Sequence, residues 1–95
     1  MPELTPEQMR VLRVLIAEDE VFLQRVMSGA LRDLGVRTIT TATNGQDALK
    51  LAEKAKEPFD IIFLDLQMPV LDGFGFLEAL RALPDKDVAE TPVIV

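Results

Sequence analysis

Cysteine and histidine are both absent from the 95 residues. Without cysteine there are no disulfides and no thiol chemistry, which fits a reducing compartment. Without histidine, imidazole acid–base catalysis and imidazole metal ligation are excluded within this segment. Long hydrophobic runs are lacking as well. The longest apolar stretch, Ile61–Leu64, is far too short to cross a bilayer, and the N-terminus has no signal-peptide pattern. Lysine and arginine are scattered and the net charge is −6, so no basic footprint of a nucleic-acid binder is present. No glycine-rich loop follows the first apolar run, which argues against a nucleotide- or flavin-binding domain. The expectation is a cytoplasmic chain that touches neither membrane nor nucleic acid through this segment.

What is present is a core. Hydrophobic residues make up 48% of the chain, enough for one small domain and too many for disorder of the bulk. Residues 1–9 carry two prolines and no strand pattern, and read as a flexible or loosely docked lead-in to a domain over 10–95. A strand is expected over 10–17, then a helix over 21–34. Its apolar stripe would be Phe22, Val26, Ala30 and Leu34, with Leu23, Met27 and Leu31 alongside, closed by Gly35 as a left-handed cap. The threonine-rich 36–43 suits a more exposed strand, and Gln46 to Lys56 a second helix ended by Pro58. A third strand begins at Asp60. Asp72 then caps a helix over 74–83 with Phe76, Leu77 and Leu80 inward, ended by Pro84. Residues 85–90 read as a charged loop, and 91–95 open a fourth strand. Met9, Met27 and the five phenylalanines are expected in the core or the lead-in. Strict alternation of strand and helix predicts a parallel α/β sheet covered on both faces.

Two of these strands end in acid. Val14–Ala17 runs into Glu18-Asp19-Glu20, and Ile61–Leu64 runs into Asp65, followed by a turn built from Pro69 and Asp72-Gly73. In open α/β sheets ligands bind just beyond the carboxyl ends of the strands. Each feature has an ordinary reading. The first cluster can complement a helix dipole, Asp65 can be a loop carboxylate, and the Pro and Gly residues can simply make turns. Their co-occurrence on neighbouring strands is the stronger signal. Two like charges about 4 Å apart repel by roughly 4 kcal/mol at an effective dielectric of 20, a cost that a cation or a shared proton relieves. Oxygen-only ligands favour a hard ion such as Mg²⁺, and aspartate is among the side chains that form covalent phosphoryl intermediates.

The segments VLIAEDE, NGQDAL and DIIFLDLQMPVLDGFGFL closely resemble the receiver domain of two-component response regulators, over residues 13–95. The resemblance implies a flavodoxin-like, doubly wound fold with strand order 2-1-3-4-5. It implies that Asp65 is the phosphoacceptor, served by a histidine kinase or a histidine phosphotransfer protein. By the same likeness Asp19 ligates Mg²⁺ directly, Glu18 acts mainly through water, and Gln67 offers its backbone carbonyl. Glu18 replaces the commoner aspartate, which adjusts the water shell. Glu20 would cap the helix, and Pro69 and Gly73 would shape the loop beside Asp65. The first helix, through Gln24, Arg25 and Ser28, would dock the partner.

The family also places a Ser or Thr just after the fourth strand and a Lys at the end of the fifth. The sequence stops at Val95, before either, so the expectation is a receiver truncated within its fourth strand, lacking the fifth strand and last two helices. Such a form is expected to transfer phosphoryl groups slowly and to expose a strand edge that invites homodimers or domain exchange. Two rival readings remain. One is a docking module that is never phosphorylated. The other is a small phosphatase or phosphotransferase, which Gln67 disfavours because related enzymes carry a second aspartate two residues after the nucleophile.

Overall fold

The two apolar runs that end in acid lie side by side at the centre of a four-stranded parallel sheet. A computed structural model describes residues 4–95, so residues 1–3 of the expected lead-in lie outside the described residues. Strands β1 (Arg13–Ala17), β2 (Thr38–Ala42), β3 (Ile61–Leu64) and β4 (Val93–Ile94) stand in the order β2-β1-β3-β4, the order the resemblance implies for these four. Ala17 is level with Ala42 on one side and Leu64 on the other. Whatever follows β1 and β3 therefore leaves the sheet at the same edge. Val14 to Ala17 are each at most 1% exposed, as a central strand buried on both faces requires.

Among the described residues five helices cover the sheet: α1 (Pro6–Val11), α2 (Val21–Asp33), α3 (Gly45–Lys54), α4 (Gly73–Arg81) and α5 (Lys86–Ala89). On one face Leu15, Ala17, Ile62 and Leu64 pack with Ala48 and Ala52 of α3 and with Phe76 and Leu80 of α4. On the other, Val14, Ile16 and Val36 pack with Met9 of α1 and with Met27 and Leu31 of α2. This is the doubly wound α/β arrangement. Asp72 caps α4 as expected, its Oδ1 accepting from the Gly75 N–H at 2.8 Å. Gly35 ends α2 with φ +101°, a conformation a side chain would resist.

Several expectations need correction. The segment expected to lead loosely into a strand at residue 10 instead forms α1, and β1 starts at Arg13. Thr5 makes a reciprocal capping box with Gln8, and Pro6 sits at the first helical position, where its missing N–H costs nothing. The 85–90 loop contains α5, nucleated by Asp85 accepting from the Asp87 N–H. The α2 stripe is turned away from where periodicity put it. Phe22 is 69% exposed, Val26 52% and Leu34 61%, while Gln24 and Ser28 are buried. Phe74 is likewise exposed, so two of the five phenylalanines lie outside the core.

A polar clamp accounts for that rotation. The Gln24 Nε2 donates to the Glu18 carbonyl at 2.6 Å and to the Ala42 carbonyl at 3.0 Å, tying α2 to the ends of β1 and β2. Met27 and Leu31 follow Gln24 by three and seven residues and share its inward face. Gln24→Leu keeps the volume but leaves buried carbonyls short of donors, at a cost of about 1–3 kcal/mol. Urea denaturation is expected to show that loss; an unchanged midpoint would remove the clamp from the account.

Candidate functional site

The end of β1 is fastened by main-chain hydrogen bonds to the end of β3 on one side and to the end of β2 on the other. The Asp65 N–H donates to the Ala17 carbonyl at 3.0 Å, and the Glu18 N–H donates to the Ala42 carbonyl at 3.0 Å. The chain therefore brings Glu18, Asp19 and Asp65 to one place, with a carboxylate oxygen from each lying within 4.8 Å of the others. Asp19 is exposed, Asp65 partly so, and Glu18 only 8% exposed. Glu18 and Asp65 line a cleft of about 480 Å³ together with Gln67, Met27, Phe63 and Val95. Gln67 is thus beside the acidic group, and its N–H donates to Asp65 Oδ1 at 3.0 Å, fixing the carboxylate's orientation.

Burial raises the Glu18 pKa above 4.5, and the neighbouring Asp65 and Asp19 carboxylates push it the same way, against a partial offset from the Glu20 N–H. That N–H donates to Glu18 Oε2 at 3.2 Å. Glu20 occupies the N-cap position of α2, but its side chain makes no capping hydrogen bond, contrary to expectation. Its carbonyl accepts from the Gln24 N–H instead. Gln24, expected on the exposed docking face, is the residue that sequence reasoning missed. The available signal was its register with Met27 and Leu31.

The loop from Asp65 to α4 is shaped at two places. A side chain at Gly73 would bring a Cβ to 2.5 Å from Leu66 Cα and 2.6 Å from the Asp65 carbonyl oxygen, so only glycine lets α4 start this close. Val70 has φ 71°, and the Leu71 N–H donates to the Pro69 carbonyl at 2.9 Å across it. Together these describe a γ-turn of the rare left-handed kind, which is strained for a β-branched residue. Pro69 supplies the acceptor.

The response regulator receiver domain model matches residues 14–95. The chain belongs to the receiver domain family. This receiver is 36% identical over 74 residues to a probable chemotaxis protein CheY of Rhizobium etli, an alignment covering 78% of this chain and 56% of that one. The structure of the chemotaxis response regulator CheY4 of Vibrio cholerae matches with a TM-score of 0.76 at 35% identity, over 86% of this chain and 64% of that one. The receiver domain of a sensor histidine kinase of Pseudomonas aeruginosa, with a magnesium ion coordinated in its active site cleft, matches with a TM-score of 0.77 at 32% identity. That match covers 86% of this chain and 63% of the other. The receiver thus spans a little over half the length of the curated relative. As a receiver it is a signalling domain of two-component systems. Among the described residues no helix is long and apolar enough to cross a membrane.

The sign of the Glu18 shift sets a pH dependence. A carboxyl whose pKa is raised on folding holds its proton more tightly in the folded chain. Stability therefore falls as pH rises from the unfolded value through the folded one. Glu18→Gln removes this penalty and is expected to raise Tm at pH 7 without divalent ions, by about 4–8 °C if the gain is on the order of 1 kcal/mol. The gain should shrink below pH 4, where the wild-type carboxyl is protonated in both states. A variant less stable than wild type at pH 7 would contradict the electrostatic reading.

Proposed function

We propose that Asp65 accepts a phosphoryl group from a histidine kinase or histidine phosphotransfer protein. We further propose that Glu18, Asp19, Asp65 and the Gln67 carbonyl hold Mg²⁺ for that transfer. The observation that carries this reading is the convergence of three carboxylates within 4.8 Å at the ends of two adjacent parallel strands. The donor set fits the ion: it is all oxygen and rich in carboxylate, with no sulfur or imidazole to favour a softer metal. When bound, Mg²⁺ offsets the clustered charge and withdraws charge from the transferring phosphoryl group.

The chain's own residues do the rest. With Oδ1 of Asp65 held by the Gln67 N–H, Oδ2 is the oxygen left to attack phosphorus. A new oxygen–phosphorus bond forms as the bond to the donor's nitrogen breaks, and the donor leaves with that electron pair. The Gln24 clamp and the Gly73 close approach keep the three acidic positions from spreading apart. The product is an acyl phosphate on a signalling domain in the cytoplasm, read by a partner or output region and not released as in a turnover enzyme.

Docking is assigned to the outward face of α2, with a correction. Gln24 and Ser28 are buried, so Arg25 is joined there by the exposed Phe22 and Val26. Apolar residues beside a cation suit a helical partner that buries the former and pairs the latter.

Intact mass after incubation with Mg²⁺ and acetyl phosphate tests both statements. One phosphoryl gain in the wild type and none in Asp65→Asn is expected. Val26→Glu should slow transfer from a phosphorylated kinase roughly tenfold, as for an interface anchor, and leave labelling by acetyl phosphate unchanged. Labelling that survives Asp65→Asn would remove Asp65 from the role.

A further inference from the structure

A second groove, of about 640 Å³, runs between β2 and α3 and shares no lining residue with the acidic cleft. Its charge is opposite to that of the chain. The protein carries ten lysines and arginines against sixteen acids, yet Arg13, Lys50 and Lys54 all line this one groove. Lys50 and Lys54 are one helical turn apart on α3, a spacing at which like charges repel. Lys54 alone could be explained by the negative end of the α3 dipole; the addition of Lys50 and Arg13 cannot. The single carboxylate on the rim, Asp47, is in the first turn of α3 and accepts from Asn44 Nδ2 at 3.1 Å.

Arg13 is the informative residue. Its guanidinium carbon lies over the Phe59 ring, 5.6 Å from the centroid, within cation–π range. Its Nε is covered by the protein and has no hydrogen-bond acceptor among the described residues, which leaves the terminal nitrogens as the ones a ligand in the groove can reach. The neighbouring acid Asp60 does not serve it: that carboxylate accepts from the Arg13 main-chain N–H at 2.8 Å. A guanidinium presents a rigid fork of donors matched to carboxylate or phosphate oxygens. Phe59 and the side of Leu51 give the groove an apolar surface next to the cations.

We propose that the β2–α3 groove binds a small organic anion, a phosphate or carboxylate carried on an apolar ring or chain. The anionic group pairs with Arg13 and is flanked by Lys50 and Lys54, and the apolar body lies against Leu51 and Phe59. The site is independent of the acidic cleft and of phosphorylation at Asp65.

Titration of the isotope-labelled chain with phenyl phosphate, without divalent ions and at constant ionic strength, tests the proposal by amide chemical shifts. Saturable shifts at Arg13, Thr40, Lys50 and Lys54 are expected, with Kd at least tenfold weaker in a Lys50→Glu, Lys54→Glu variant. These lysines are on the surface of α3, so that variant should fold. A parallel benzoate titration shows whether carboxylate serves as well as phosphate; saturation by either anion with the same loss supports the site. Equal binding of neutral phenol, binding unaffected by the two charge reversals, or no saturable shift in the groove would each overturn it.

Discussion

The parallel pairing of β1 with β3, closed by the hydrogen bond from the Asp65 N–H to the Ala17 carbonyl, is the constraint on which the site depends. It forces Asp65 alongside Glu18 and Asp19. Three carboxylates with oxygens within 4.8 Å repel one another by kilocalories at any plausible local dielectric. The apolar sheet supplies the opposing force. Leu15, Ile16 and Ile62 are fully buried, and each such side chain contributes roughly 1.5–3 kcal/mol on leaving water. The register that buries them is the register that assembles the acids. A one-residue slip would relieve the repulsion but turn the core residues over, so the fold holds the charges together.

Around that constraint sit devices that stop the cluster from relaxing. Gln24 ties α2 to the ends of β1 and β2, so the helix that follows the Glu18 turn cannot swing outward. Gly73 lets α4 start against the Asp65 carbonyl, and the left-handed Val70 completes the tight loop between them. Glu18 absorbs the residual strain electrically: burial and its acidic neighbours raise its pKa. A site with stored repulsion favours a cation, whose charge would offset that of the three carboxylates.

The strands and their acidic ends were legible because both signals are local. Four consecutive apolar residues followed by a carboxylate can be read without knowing what packs against them, and so Glu18, Asp19 and Asp65 were found together. The orientation of α2 was not legible in the same way. Its apolar residues cover more than one face, so Phe22 and Val26 read as one wide stripe with Met27 and Leu31, although only the latter pair packs inward. The choice between them is made by a buried glutamine whose two acceptors, Glu18 and Ala42, are 6 and 18 residues away. Helices α1 and α5 were missed for another reason. At six and four residues they are too short for periodicity, and their caps at Thr5 and Asp85 resemble ordinary turns.

The central claim is that the clustered carboxylates are kept for a divalent cation. Thermal unfolding across a Mg²⁺ titration, in the wild type and in Asp65→Asn, tests it most directly. Binding only to the folded chain predicts a Tm that climbs with Mg²⁺, reaching about 2.7 kcal/mol of added stability at about a hundredfold excess over Kd. The climb should be largely lost in the variant. A wild-type Tm indifferent to Mg²⁺, or an equal rise in Asp65→Asn, would contradict the account.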